Sequence, residues 1–98
     1  MSNMKFGKDK IVMTIDDKEI AYMTIKETEN GDIEFIKLFV DPAFRGQGIA
    51  GKFMEKAAEE YKEKNIIPIC SYAYSWYKKK TEEYKNVHFP ENGPACKI

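Results

Sequence analysis

The chain has 98 residues, enough for one domain, and folding at this size buries roughly 60–65% of the surface that the unfolded chain exposes. Sixteen basic residues balance sixteen acidic ones and hydrophobic residues make up 43%, which excludes a disordered chain and leaves no electrostatic footprint for nucleic acid or an anionic membrane. Two cysteines make no disulfide framework, one histidine without a Cys-x-x-Cys gives no metal spacing, and no stretch approaches the ~18 apolar residues of a membrane span.

In chain order, the opening Met1-Ser2-Asn3-Met4-Lys5-Phe6-Gly7-Lys8 leads into no apolar run, so no signal peptide is expected and the expected compartment is cytoplasmic. Residues 10–16 read as a strand, and Asp17-Lys18 as a tight turn. The strand resumes over 19–27, with Ile20, Tyr22 and Thr24 on one face and Ala21, Met23 and Ile25 on the other. Asn30-Gly31-Asp32 signals a turn, and 33–40 forms a third strand whose Leu38-Phe39-Val40 run predicts burial on both faces.

Asp41-Pro42 breaks the pattern, and a loop runs to about Gly48. Beyond it, Ile49, Ala50, Phe53, Met54, Ala57, Ala58 and Tyr61 recur at helical spacing, with lysines and glutamates on the other face as a solvated surface. This amphipathic helix is expected to end near Asn65. Ile66-Ile67-Pro68-Ile69-Cys70 reads as a short buried strand, its proline suited to an edge. Residues 72–80 form a second, aromatic-rich helix, and the segment from Thr81, with Pro90, Gly93 and Pro94, looks loosely structured.

The predicted class is therefore α/β (α+β), in the order β-β-β-α-β-α. An antiparallel meander is followed by a β-α-β crossover, which should be right-handed and should give one parallel pair. No repeat or interdomain linker is visible, so the chain reads as a single domain over 1–98, with a core over about 10–85 and a loose tail over 86–98.

The chemistry concentrates in Val40-Asp41-Pro42-Ala43-Phe44-Arg45-Gly46-Gln47-Gly48-Ile49-Ala50-Gly51-Lys52, where a buried strand feeds a glycine-rich loop and then a helix N-terminus. The first N–H groups of a helix lack internal partners, the macrodipole adds partial positive charge, and glycines let the backbone approach an anion. Arg45 and Lys52 can add charge at the rim. Two motifs compete here. Gly46 to Gly51 matches the G-x-G-x-x-G dinucleotide pattern, but three meander strands precede it and no repeating βαβ unit follows.

Arg45-Gly46-Gln47-Gly48-Ile49-Ala50 also fits [QR]-x-x-G-x-[GA], and with its Val40-Asp41-Pro42 approach it resembles the acetyl-CoA pyrophosphate loop of GCN5-related N-acetyltransferases (GNAT). The likeness extends to Cys70-Ser71-Tyr72-Ala73-Tyr74-Ser75-Trp76-Tyr77-Lys78-Lys79, in which Cys70 stands where that family usually has asparagine. It implies a truncated GNAT-like fold over roughly 10–85, because the helices that ordinary members carry after the first strand and their last two strands are missing. Pro68-Ile69-Cys70-Ser71-Tyr72 is similar to the mark of a minimal subgroup, a cysteine after the central helix.

The resemblance implies an acyltransferase that moves acetyl from acetyl-CoA, as cosubstrate and without a metal, to an amine by direct attack in a ternary complex. Cofactor binding would fall to Arg45, Gly46, Gln47, Gly48, Ile49, Ala50, Gly51 and Lys52, with the backbone of Phe39 and Val40 on the pantetheine arm and Tyr74 near the channel. Tyr77 would be the general acid for the leaving sulfur, or else a core residue beside Trp76. Cys70 could accept the acetyl group, sit near the CoA sulfur without reacting, or simply pack. His88 reads as a surface residue. Tyr72 reads as helix-face packing or as channel lining, and Cys96 has no evident role. The acceptor amine is unspecified, and so is the oligomeric state. Two rival readings are a non-catalytic CoA- or acyl-CoA-binding module and an interaction domain with a purely structural glycine loop.

Overall fold

The computed structural model describes residues 2–91; Cys96 and the last seven positions of the expected tail lie outside them. Five strands form one sheet in sequential order: β1 (Ser2–Phe6), β2 (Lys10–Ile15), β3 (Lys18–Glu27), β4 (Ile33–Val40) and β5 (Ile66–Pro68). The first four are antiparallel, and β5 pairs parallel to β4. Between them, α1 (Ile49–Glu60) makes the crossover, and α2 (Ser71–Lys78) follows β5. The α+β class and the meander-then-crossover plan hold, with one more strand than expected at the start.

That strand, β1, pairs Met4 with Met13 and Phe6 with Ile11. Its apolar residues number only two, and they alternate with Asn3 and Lys5, so periodicity alone is thin evidence for it. The turn after β2 is carried by Asp16 and Asp17, both in the left-handed region (φ 50° and 67°), one position earlier than expected. Aspartate tolerates that region better than most residues. Two bulges follow, one beside Met13/Thr14 and one beside Thr24/Ile25. The first leaves Ile20 and Ala21 buried together, and the second leaves Ile36 without a partner in β3.

All the buried apolar residues join one cluster on one face of the sheet. From α1 come Phe53, Met54, Ala57 and Ala58, and from α2 come Ala73 and Tyr77. Phe35 lies at its centre, its ring 6.2 Å from both Tyr61 and Tyr77. The opposite face carries half-buried Val12, Thr14, Tyr22 and Thr24, with no helix over it among the described residues.

Three expectations need correction. The first helix ends at Glu60, not near Asn65. Charged residues continue the helical pattern, but the chain leaves the helix at Tyr61 (φ −106°, ψ 27°), and the Asn86 amide donates to Tyr61 O at 3.1 Å and Lys64 O at 2.8 Å. The segment at 86–88 is accordingly docked: Val87 is buried and bridges Ile66, and His88 N–H donates to Ile66 O at 2.8 Å. The His88 ring is exposed and lies 3.0 Å from Asn65 Oδ1.

Finally, Leu38-Phe39-Val40 is not buried on both faces. Leu38 and Val40 are half-buried and Phe39 is 37% exposed. The cause is the brevity of β5, which pairs only with Ile33 to Phe35. The N–H groups of Ile69 and Cys70 then converge on one carbonyl, Phe35 O, at 2.9 and 2.8 Å, as the chain turns away into α2.

Candidate active site

Where β5 departs, the far half of β4 keeps a free edge. Asp41 N–H donates to Ile20 O at 2.7 Å, so Asp41 faces β3. Backbone groups alternate along a strand, so Phe39 also faces β3, opposite Tyr22, whereas Leu38 and Val40 face the open edge. Of the two residues expected to meet the arm, Phe39 has its backbone committed to β3, while Leu38 and Val40 carry the groups on the open edge. The alternation was available from the sequence, but its phase was set by the bulge at Ile36, which the sequence does not announce.

The loop after β4 is braced by its own residues. Asp41 Oδ1 accepts from Ala43 N–H at 2.9 Å and opens a short 3-10 turn over Pro42–Phe44. Gln47 Nε2 donates to Ala43 O at 3.3 Å, which makes Gln47 a brace of the loop. Gly46 and Gly48 have φ of 81° and 77°, a region that costs other residues about 1–2 kcal/mol. A Cβ on either would meet nothing within 4 Å, so the space beside them is open.

Gly48 caps α1 without any side-chain bond, and no acidic residue occupies the first turn. The first helical bond runs from Lys52 N–H to Gly48 O at 3.2 Å, which leaves the N–H groups of Ile49, Ala50 and Gly51 without a helical acceptor. Three orphan donors, the positive end of the helix dipole and an uncrowded loop suit a pyrophosphate.

Two adjoining clefts meet here. One, of about 270 Å³, is lined by the loop glycines, Ile49, Ala50 and Gly51; the other, of about 340 Å³, by Leu38 and Phe39. Both include Val40, Arg45, Ala50 and Tyr72. Arg45 does not point away into solvent. Its Nε donates to Val40 O at 2.9 Å, and its guanidinium lies 5.6 Å from the Phe39 ring centroid. Lys52 is exposed and lines neither cleft.

Residues 10–87, which include β4, the loop and α1, are matched by a family model described as GCN5-related N-acetyl-transferase. The chain belongs to that family. It is also similar to the solution structure of a GCN5-like candidate N-acetyltransferase from Staphylococcus aureus, at 25% identity and a TM-score of 0.69, covering 91% of this chain and 90% of that one. No curated protein matches significantly.

Within this GCN5-related fold, the other expected site residues separate. Cys70 is a free thiol, 6% exposed, at the point where β5 leaves β4. Its carbonyl accepts Tyr74 N–H at 2.8 Å and so starts α2. Tyr74 lines neither cleft; its ring packs edge-on against Phe89 at 5.1 Å, with the Lys78 ammonium over both rings.

Tyr77 is a core residue, 0% exposed, and its hydroxyl donates to Met54 O at 2.9 Å. Burial, followed by the neighbouring Tyr84, pushes its phenol well above the ordinary 10.0. Tyr77 lines neither cleft, and its place matches the second of its two expected roles, a core residue beside Trp76. The tyrosine that does face the clefts is Tyr72, on the first turn of α2 and 37% exposed. Tyr72 closes the Pro68-Ile69-Cys70-Ser71-Tyr72 motif, but the linear pattern does not say which of Tyr72 and Tyr74 faces the clefts; the placement of α2 after β5 does.

Among the described residues no group of three His, Cys, Asp or Glu side chains could hold a metal ion, and no helix is long and apolar enough to cross a membrane.

Proposed function

We propose that this GCN5-related protein binds acetyl-CoA along the cleft and transfers the acetyl group to an amine by direct attack in a ternary complex. The observation that carries the reading is continuity. Orphan N–H donors at the start of α1 and the free edge of β4 at Val40 and Leu38 follow one another along two adjoining clefts that share Val40, Arg45, Ala50 and Tyr72.

Acetyl-CoA would supply the activated thioester. The residues of the chain hold and orient it: Ile49, Ala50 and Gly51 offer N–H groups to pyrophosphate oxygens, with Gly46 and Gly48 giving the approach. Arg45 stands at the rim between the two clefts. The free-edge backbone of Leu38 and the N–H of Val40, whose carbonyl already accepts from Arg45 Nε, offer strand-like hydrogen bonds to an amide-bearing arm. Cys70, a buried thiol at the β4/β5 split, lines neither cleft and is given no covalent role in this reading.

A second reading, a CoA- or acyl-CoA-binding module without turnover, is favoured by one observation: Tyr77, the expected acid, is buried on Met54 O. Turnover with any amine removes it.

Calorimetric titration with acetyl-CoA tests the binding itself. Wild type should bind in the micromolar range, and Gly48→Glu should lose at least tenfold, because a carboxylate beside the loop repels pyrophosphate. Circular dichroism of the variant should match wild type. No binding by the wild type would reduce the loop to scaffold and remove the enzymatic reading with it.

A further inference from the structure

A third pocket, of about 300 Å³, has no part in the acetyl-CoA reading; its lining includes Lys10, Glu19, Tyr22, Phe39 and Asp41. One wall is aromatic. Tyr22 and Phe39 are partners across β3 and β4, and their rings stack at 5.3 Å with 28° between the planes. Two carboxylates, Glu19 and Asp41, line the same space. The chain supplies a cation of its own here. Lys10 Nζ lies 4.4 Å from the Tyr22 ring centroid and 3.6 Å from Glu19 Oε1. Lys10 stands opposite Thr24 and Glu19 opposite Thr14, so the lysine stem runs along the sheet and across Tyr22 to reach that carboxylate. A primary ammonium is thus seated between a ring face and a carboxylate, the two groups that recognise such a cation.

Lys10 is held loosely. The side chains of Lys10 and Glu19 are each 49% exposed, and ion pairs that open to solvent contribute little. Asp41 spends Oδ1 on Ala43 N–H at 2.9 Å, and among the described residues no cation pairs with it. We infer that this pocket is a binding site for a small aliphatic diamine. One ligand ammonium replaces Lys10 Nζ over Tyr22 and against Glu19, the other meets Asp41, and the methylene chain between them lies along the aromatic wall. Once Lys10 swings out to water, two carboxylates remain to be matched, which a dication does and a monoamine does not. Lys10 is then an internal competitor that the ligand displaces. The site needs no acetyl-CoA, although Phe39 also lines the cleft along β4, so the two spaces adjoin.

The test is an amide chemical-shift titration with 1,4-diaminobutane, without acetyl-CoA, on wild type and three variants. Lys10→Met removes the competitor, Lys85→Met removes the same charge from an exposed position outside the pocket, and Lys10→Met/Glu19→Gln also removes a carboxylate. In Lys10→Met the amides of Glu19, Tyr22, Phe39 and Asp41 should shift saturably, with an affinity about tenfold above that of wild type and of Lys85→Met. The double variant should lose about tenfold again, and 1-aminobutane should bind Lys10→Met at least about fivefold more weakly than the diamine does. No saturable shift at those amides in Lys10→Met overturns the site. Equal tightening in Lys85→Met overturns it too, since net charge alone would then draw the ligand. Undiminished binding by the double variant, or equal binding of the monoamine, removes the two-point recognition on which the assignment stands. Each of these results leaves the acetyl-CoA reading where it was, because the cofactor is absent from the experiment.

Discussion

Gly48 and Gly51 stand three positions apart, yet their backbones ask for different things. Gly48 adopts φ 77°, so a Cβ there is strained even though nothing lies within 4 Å of it. Gly51 has ordinary helical geometry, and an added Cβ would rest 3.6 Å from Trp76 Nε1, a normal contact. Gly51→Ala should therefore stabilise the protein by about 0.5–1 kcal/mol through helix propensity, while Gly48→Ala should destabilise it by about 1 kcal/mol. Urea denaturation midpoints check both, and equal shifts of the same sign would refute the distinction. The sequence showed both glycines in one motif; it gave no way to tell the conformational glycine from the replaceable one. The same limit applies to the tyrosines. Tyr72, Tyr74 and Tyr77 are alike in the linear pattern, and their fates diverge because a helix points residues two and five apart in different directions.

At the scale of elements, β4 and the start of α1 were legible almost to the residue. The 33–40 alternation ends at Asp41-Pro42, and helical spacing begins at Ile49, right after the glycine cap. The end of α1 was not legible, because Lys62, Glu63 and Lys64 continue an amphipathic pattern that costs nothing on a solvated face. What closes that end comes from far along the chain: the Asn86 side chain, bonded to the carbonyls of Tyr61 and Lys64. Asn86→Ala should cost about 1–2 kcal/mol, since two hydrogen bonds are lost together. A fall in the denaturation midpoint of that size is the expected result. An unchanged midpoint would mean that water satisfies those carbonyls equally well, and that the docking of 86–88 rests on its backbone bonds to Ile66 alone.

For the whole molecule, a single core on one face of a five-stranded sheet makes Tyr77 part of the global fold. Its phenol is neutral in the native state and titrates near 10.0 once unfolded. Its folded value is raised, so the stability linked to it is fully present below pH 10 and is lost as the pH rises past the unfolded value. There the native state holds the proton that the unfolded chain gives up, and the slope is up to about 1.4 kcal/mol per pH unit. Tyr61, Tyr72 and Tyr84 shift in the same direction from less buried positions. Tyr77→Phe should lower stability at pH 7 by about 1 kcal/mol, the worth of the bond to Met54 O, and should flatten the fall above pH 10. Denaturation of both proteins from pH 7 to 11 isolates this residue, and parallel curves would show that Tyr77 contributes no linked proton.

The linear pattern by itself determined the class of fold, the family resemblance and the phosphate-binding recipe. Strand alternation, helical spacing and a glycine-rich turn are local properties, each written within a dozen residues. Only the tertiary structure decided where β5 stops against β4, which residues face the edge thereby freed, and which tyrosine stands in the cleft. Those depend on bulges at Ile20 and Ile36 and on two N–H groups sharing Phe35 O. They are consequences of segments meeting across the sheet, where a shift of one residue reverses the direction of every backbone group beyond it.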